Sequence, residues 1–123
     1  MKKRVLDVGQ CDADHYRISK LLGEHFEVEI LRAHSHDEAV SLAVEKPCHL
    51  VMINRLLDRD GSPAMKILSS LKSDPATQEV PVMIVSNYED AQTAAVENGA
   101  VQGFGKAALN DEATVELLKS YLG

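Results

Sequence analysis

The chemistry this sequence offers sits at four places, each at or just past the end of a short apolar run: Gly9-Gln10, Asn54, Ser86-Asn87 and Lys106. Ser86 brings a hydroxyl and Lys106 a cation, a pair suited to holding an anion. Gln10 and Asn54 bring neutral amides, which hydrogen-bond but do not attack an electrophile as a carboxylate does. Carboxylates lie close by in sequence, at Asp12 and Asp14 on one side and at Asp58 and Asp60 on the other. Asp12, Asp14 and His15 fall where a loop enters a helix, so the two acids favour the helix dipole as readily as any ion. His34 and His36 could turn two imidazoles to one side, but no third ligand follows nearby and zinc is not expected. No glycine-rich phosphate loop occurs, and Val115, Leu118 and Leu122 read as core contacts of a helix rather than a cofactor box. Neither a cofactor nor a metal is expected, and no residue is assigned a catalytic role.

The elements that must position these groups alternate. Apolar runs at 4–8, 28–31, 50–53, 82–85 and, more weakly, 101–104 read as strands, each followed by helical periodicity. Asp12 is expected to cap the first helix, Ser35 through Glu38 to form a capping box, Ser62-Pro63 to open the third helix and Asn110 to cap the last. Pro47, Asp74-Pro75 and Asn98-Gly99 read as stops. Such alternation implies an α/β fold, a doubly wound five-stranded parallel sheet with helices on both faces, and places ligand chemistry at the C-terminal ends of the strands. The whole of 1–123 reads as one domain.

Composition narrows the function classes. The chain has 123 residues, a formal net charge of −6 and 45% apolar residues, too apolar for a disordered acidic chain. The longest apolar run, 80–85, is far short of the ~20 residues that span a bilayer. Nucleic acid is disfavoured, because a phosphate backbone rewards clustered bases and the only basic run is Lys2-Lys3-Arg4. Cys11 and Cys48 make no metal-spaced pair and are expected at opposite edges of the sheet, unbridged; a reducing cytoplasm is the simplest compartment.

Three segments carry a family resemblance. His49-Leu50-Val51-Met52-Ile53-Asn54 followed by Asp60-Gly61, Val80-Pro81-Val82-Met83-Ile84-Val85-Ser86, and Asn98-Gly99-Ala100 through Phe104 to Lys106 resemble, in that order, successive segments of bacterial response-regulator receiver domains. The resemblance covers nearly the whole chain and implies a flavodoxin-like (βα)5 fold with strand order 2-1-3-4-5. It also implies an aspartate nucleophile at position 54, an acidic pair at positions 9 and 10 that helps hold Mg²⁺, the Ser86 hydroxyl and Lys106. The sequence departs from that pattern where the chemistry resides. Asn54, Gly9 and Gln10 remove all three carboxylates, and Mg²⁺ prefers anionic oxygen. Gly61 follows Asn54 by seven residues, one fewer than the family spacing, and the family's Lys-Pro reads Lys106-Ala107, a bond expected to be trans.

Several readings stay open at this stage. Asn54 is either a polar cap on a buried strand end or a constitutive surrogate for an unphosphorylated aspartate. Lys106 is expected to pair with Asp58, Asp60 or Asp12, or else to reach water. Asp7 is either a buried carboxylate needing a partner or a residue facing an open edge. For function, the resemblance together with these departures implies a stand-alone, non-enzymatic signalling module that acts without aspartyl phosphorylation and binds a protein partner in trans through the fourth and fifth helices and the fifth strand, with Phe104 on that face. The alternatives are a phosphoacceptor that uses Asp58 or Asp60, and a small-anion or ligand-binding domain on the same fold. Neither the partner nor the oligomeric state is legible.

Overall fold

A computed structural model describes residues 2–123. Its elements run β1 (Lys3–Val8), α1 (Asp12–His25), β2 (Val28–Ala33), α2 (His36–Glu45), β3 (Leu50–Asn54), α3 (Ala64–Ser73), β4 (Val82–Val85), α4 (Glu89–Glu97), a 3₁₀ turn (Lys106–Ala108) and α5 (Glu112–Leu122). The strands form one parallel sheet in the order β2-β1-β3-β4. Its inner strands β1 and β3 are largely apolar where both faces are covered, with Asp7 of β1 the buried exception. Leu6, Val8, Val51, Ile53, Val82 and Ile84 pack with the apolar sides of α2, α3 and α4. The alternate residues Val5, Leu50, Met52, Met83 and Val85 pack with Ile18 and Leu22 of α1 and Leu118 and Leu122 of α5.

The fifth strand expected at 101–104 is absent; only Phe104 bridges to β4, opposite Val85. The backbone shows why. Val101 N–H donates to Val82 O at 2.8 Å, so Val101 stands in register with Met83. Two residues further on, Phe104 rather than Gly103 stands opposite Val85, which leaves one extra residue on the outer segment, a β-bulge. The buried side chain of Gln92 fills the gap: its Nε2 donates to Ile84 O at 2.8 Å and Ser86 O at 3.2 Å, and its Oε1 accepts from Gly103 N at 2.9 Å. A glutamine amide from α4 thereby takes ladder positions a fifth strand would have used.

Three helix starts move by one residue from their sequence signals. Cys11, not Asp12, is the N-cap of α1, Pro63 that of α3, and Asp111 rather than Asn110 that of α5. At α2 the cap is as read, with Glu38 N–H donating to Ser35 Oγ at 3.2 Å. Asn98 caps α4 and Gly99 follows at φ 101°, a conformation that favours glycine. Among the described residues no helix is long and apolar enough to cross a membrane.

Both cysteines are free, Cys11 after β1 and Cys48 before β3, at opposite ends of the strands. Burial pushes the Cys48 thiol up to about 11, so in native buffer near pH 8 an alkylating reagent should label Cys11 and reach Cys48 only on unfolding. Equal native rates for both thiols would contradict this placement. The bulge gives a second expectation. Gln92→Ala strands the Gly103 donor and two carbonyls inside the protein and should cost about 2–3 kcal/mol, read as a lowered urea midpoint. An unchanged midpoint would remove Gln92 from the account of the missing strand.

Candidate functional site

The fold brings Gly9, Gln10, Asn54, Ser86 and Lys106 to one edge of the sheet, at the C-terminal ends of β1, β3 and β4. The loop after β3 fills the middle of that edge. Gly9 has φ 75°, and its carbonyl accepts from Asn54 Nδ2 at 3.1 Å and from Asp58 N at 2.9 Å. Leu57, only 1% exposed, lies directly over Gly9: a Cβ there would overlap the Leu57 side chain and come within 3.1 Å of its Cα. The loop is itself tightly closed, with Leu57 N on Ser62 O at 2.9 Å, Gly61 N on Leu57 O at 2.8 Å and Ala64 N on Arg55 O at 2.9 Å.

Residues 9, 10 and 54 do not fit Mg²⁺. Position 9 has no side chain and no room for one. Gln10 is 2% exposed and neutral, with both amide atoms lacking a protein partner. Asn54 is neutral and commits its Nδ2 to the Gly9 carbonyl. A hard dication gains too little from two amides to offset its dehydration. Among the described residues no three His, Cys, Asp or Glu side chains gather as a metal set; His36 instead bonds Asp37 at 2.9 Å and Ser70 at 2.8 Å.

Lys106 pairs with none of the three acids weighed for it. Its Nζ lies 2.7 Å from Oδ2 of Asp14, in the first turn of α1. The hydrogen bond from Lys106 holds the Asp14 carboxyl below the usual carboxylate range against the opposing cost of burial, with further help from Cys11 and Arg17. The other acids are turned elsewhere. Asp12 takes Arg32 Nη2 at 2.8 Å, which lowers its pKa. Asp60 accepts from the backbone and hydroxyl of Ser62. Asp58 contributes its backbone to the loop and leaves its side chain exposed. Ser86 Oγ accepts from Tyr88 N at 3.1 Å, and Asn87 Oδ1 accepts from Ala107 N at 3.0 Å. What remains is an open cleft of about 310 Å³ bordered by Asn54, Arg55, Ser86, Tyr88 and Lys106. The Lys106-Ala107 bond is trans, as every peptide bond among the described residues is. Phe104 is buried in the core rather than displayed on a face, because its bridge to β4 turns it inward.

The sequence signals missed two further features. Asp7 is fully buried in β1, between Met52 of β3 and Arg32 of β2, and its Oδ2 lies 2.6 Å from His15 Nδ1. This resolves its environment as interior, with the imidazole as its partner; the eight-residue separation across a loop hid the pair. Tyr88 is 58% exposed and carries the Arg55 guanidinium 4.9 Å from its ring centre, a cation-π contact. The Arg-x₃₂-Tyr separation gives no sequence cue.

This edge geometry and sheet order define an α/β protein of the response-regulator receiver fold. No family model matches the sequence, and no curated protein does. Among solved structures, a response regulator from Chloroflexus aurantiacus superposes with TM-score 0.87 at 20% identity, covering 98% of both chains. The signal receiver domain of a DNA-binding response regulator from Colwellia psychrerythraea gives 0.81 at 23%, covering 97% of both. The chemotaxis response regulator CheY4 of Vibrio cholerae gives 0.73 at 14%, covering 99% of this chain and all of that one. At these identities the likeness is one of fold.

The pH dependence of the Asp14 pair follows from its sign. A carboxyl depressed in the folded state contributes stability above its unfolded value near 3.8 and loses it as pH falls through the folded value. Asp14→Asn should therefore cost about 1 kcal/mol at neutral pH, a modest figure because both partners are partly solvated. The gap between the two proteins should narrow in urea melts as pH falls below 3.8. A gap that stays constant with pH would mean that packing, not charge, is what Asp14 supplies.

Proposed function

We propose that this chain is a signalling module that binds a protein partner without aspartyl phosphorylation, using the surface around α4, residues 101–105 and α5. The observation that carries the reading is Leu57 seated over Gly9. In a phosphoacceptor receiver the end of β1 supplies acid to a metal; here that space holds a buried aliphatic side chain. The amide of Asn54 reinforces it, since its Nδ2 is a donor to Gly9 O where a nucleophile would have to be free and anionic. Lys106 supports the same reading, because Asp14 already engages its ammonium. Arg55 is the other cation at this cleft, and its guanidinium lies over the Tyr88 ring. Without carboxylates at positions 9, 10 and 54, the electrostatic stabilisation that a metal held there would give to a transferring phosphoryl group is lost.

Intact-mass analysis after exposure to acetyl phosphate and Mg²⁺ tests this. The unaltered protein, Asn54→Asp and Asn54→Asp with Gln10→Asp should all stay unlabelled. Asn54→Asp should also lose about 1–2 kcal/mol of stability, because it replaces a donor to Gly9 O with a carboxylate facing the same oxygen. Gly9→Asp does not complete the restoration, since its side chain collides with Leu57 and its backbone lies at positive φ. Addition of one phosphoryl group to the unaltered chain, mapped to Asp58 or Asp60, would overturn the reading in favour of a displaced phosphoacceptor.

A further inference from the structure

Two sizeable grooves flank α5, and their charges differ in kind. The larger, about 750 Å³ between α1 and α5, is lined by both signs: Arg17, Lys20, Glu24 and His25 on α1, Glu112 and Glu116 on α5. It compensates itself and selects no sign of partner. The smaller, about 600 Å³, runs between the start of α4 and the 3₁₀ turn that leads into α5. Its charged lining is Glu89 and Asp111, and the Arg55 guanidinium lies over the Tyr88 ring at the rim. Helix α4 adds Asp90 and Glu97 nearby and carries no basic residue at all.

The helix dipole alone does not account for this pair of acids. An acid in the first turn, such as Glu89, suits the positive end of a helix. An N-cap aspartate is favoured because its oxygen accepts a backbone N–H, and Asp111 occupies the N-cap of α5 without making that bond. Among the described residues neither Glu89 nor Asp111 takes part in an ion pair, whereas Asp12, Asp14, Glu29 and Glu116 each hold a cation. The groove therefore presents two uncommitted carboxylates, one from each wall.

The floor says how an occupant would lie. It is poor in side chains, being made of Gly103, Gly105, Ala107 and Ala108 above the buried Phe104, with the exposed ring of Tyr88 on the rim. Strand addition along 101–105 is blocked, since the bulge breaks the edge and Gly103 N–H is already spent on Gln92. A partner must enter with side chains instead. A long aliphatic stem can lie on the glycines and alanines while its charged end reaches the carboxylates.

We propose that this groove receives a lysine- or arginine-bearing segment of a protein partner, with the cationic head between Glu89 and Asp111. The assignment rests on the reading of the chain as a partner-binding module and names the chemistry of that partner.

The test is an amide-resolved NMR titration of the full chain, at about 150 mM salt so that long-range attraction is screened. The probe is the peptide acetyl-Gly-Arg-Leu-Arg-Gly-amide, and its control carries citrulline, uncharged and of similar shape, at both arginines. Saturable shifts confined to 86–93 and 102–111 are expected, with at least fivefold weaker binding of the citrulline peptide. Glu89→Gln with Asp111→Asn should weaken the arginine peptide about tenfold, while Asp90→Asn with Glu97→Gln, on the same helix outside the groove, should leave it unchanged. Equal affinity for the two peptides, shifts spread over other acidic surfaces, or equal effects of the two double variants would each overturn the assignment. A parallel titration with acetyl phosphate and Mg²⁺ separates the two claims. Affinity that changes together with phosphoryl labelling would overturn phosphorylation-independence and leave the groove standing; unchanged affinity supports both.

Discussion

The carbonyl of Gly9 is the point on which the rest of this edge depends. It closes β1 at a positive φ that glycine adopts without strain, and it gathers two donors from across the cleft, the Asn54 amide and the Asp58 backbone. Those two bonds draw the loop after β3 down against β1. Leu57 is thereby carried into the space over Gly9, where it is buried. One residue fewer in that loop and no side chain at position 9 are thus two parts of one arrangement. Lengthening the loop would lift Leu57 away, and adding a Cβ at position 9 would push it out.

Charge then has to be redistributed, because a buried or half-buried ion without a counter-ion is costly. Around this end of the sheet Lys106 takes Asp14 and Arg32 takes Asp12, while the His15 imidazole hydrogen-bonds Asp7. Each contact joins α1 to a different neighbour: the 3₁₀ turn, β2 and β1. The result is a set of internal links around the end of the sheet in place of an ion-binding cleft. Asp7 keeps one oxygen without a protein partner, beside the unpartnered Nε of Arg32 one strand over.

The four strands were legible because a parallel sheet covered on both faces demands unbroken apolar runs, and 50–53 and 82–85 have no other use. The run at 101–104 failed for a reason that composition does not carry. Gln92, nine residues upstream on a helix, outcompetes the segment's own backbone for Ile84 O and Gly103 N. The absent carboxylates at 9, 10 and 54 were legible residue by residue, and so was the shortened loop. What filled the space was not, since nothing distinguishes Leu57 from its neighbour Leu56 except that one is buried and the other is 41% exposed. The partner of Lys106 was misread because sequence proximity to the site favoured Asp58 and Asp60. The acid that meets it, Asp14, projects from the first turn of α1.

A surface used for binding benefits when its bound shape is already the resting one, because ordering is then not deducted from affinity. The segment around the start of α4 meets that condition. Ser86 holds the backbone of Tyr88, Asn87 holds Ala107, and Gln92 ties β4 to Gly103. Arg55 stacks on the exposed ring of Tyr88 and limits where it can turn. The loop of 86–88 is thus fixed from the sheet, from the 3₁₀ turn and from the loop after β3. In a receiver that responds to phosphorylation, this region must have two arrangements of nearly equal energy to pass between. Here both groups already have partners: the hydroxyl of Ser86 accepts from Tyr88 N–H, and the ammonium of Lys106 meets Asp14. Ser86 and Lys106 thus serve as ties within the fold, one to the backbone at the start of α4 and the other to the first turn of α1.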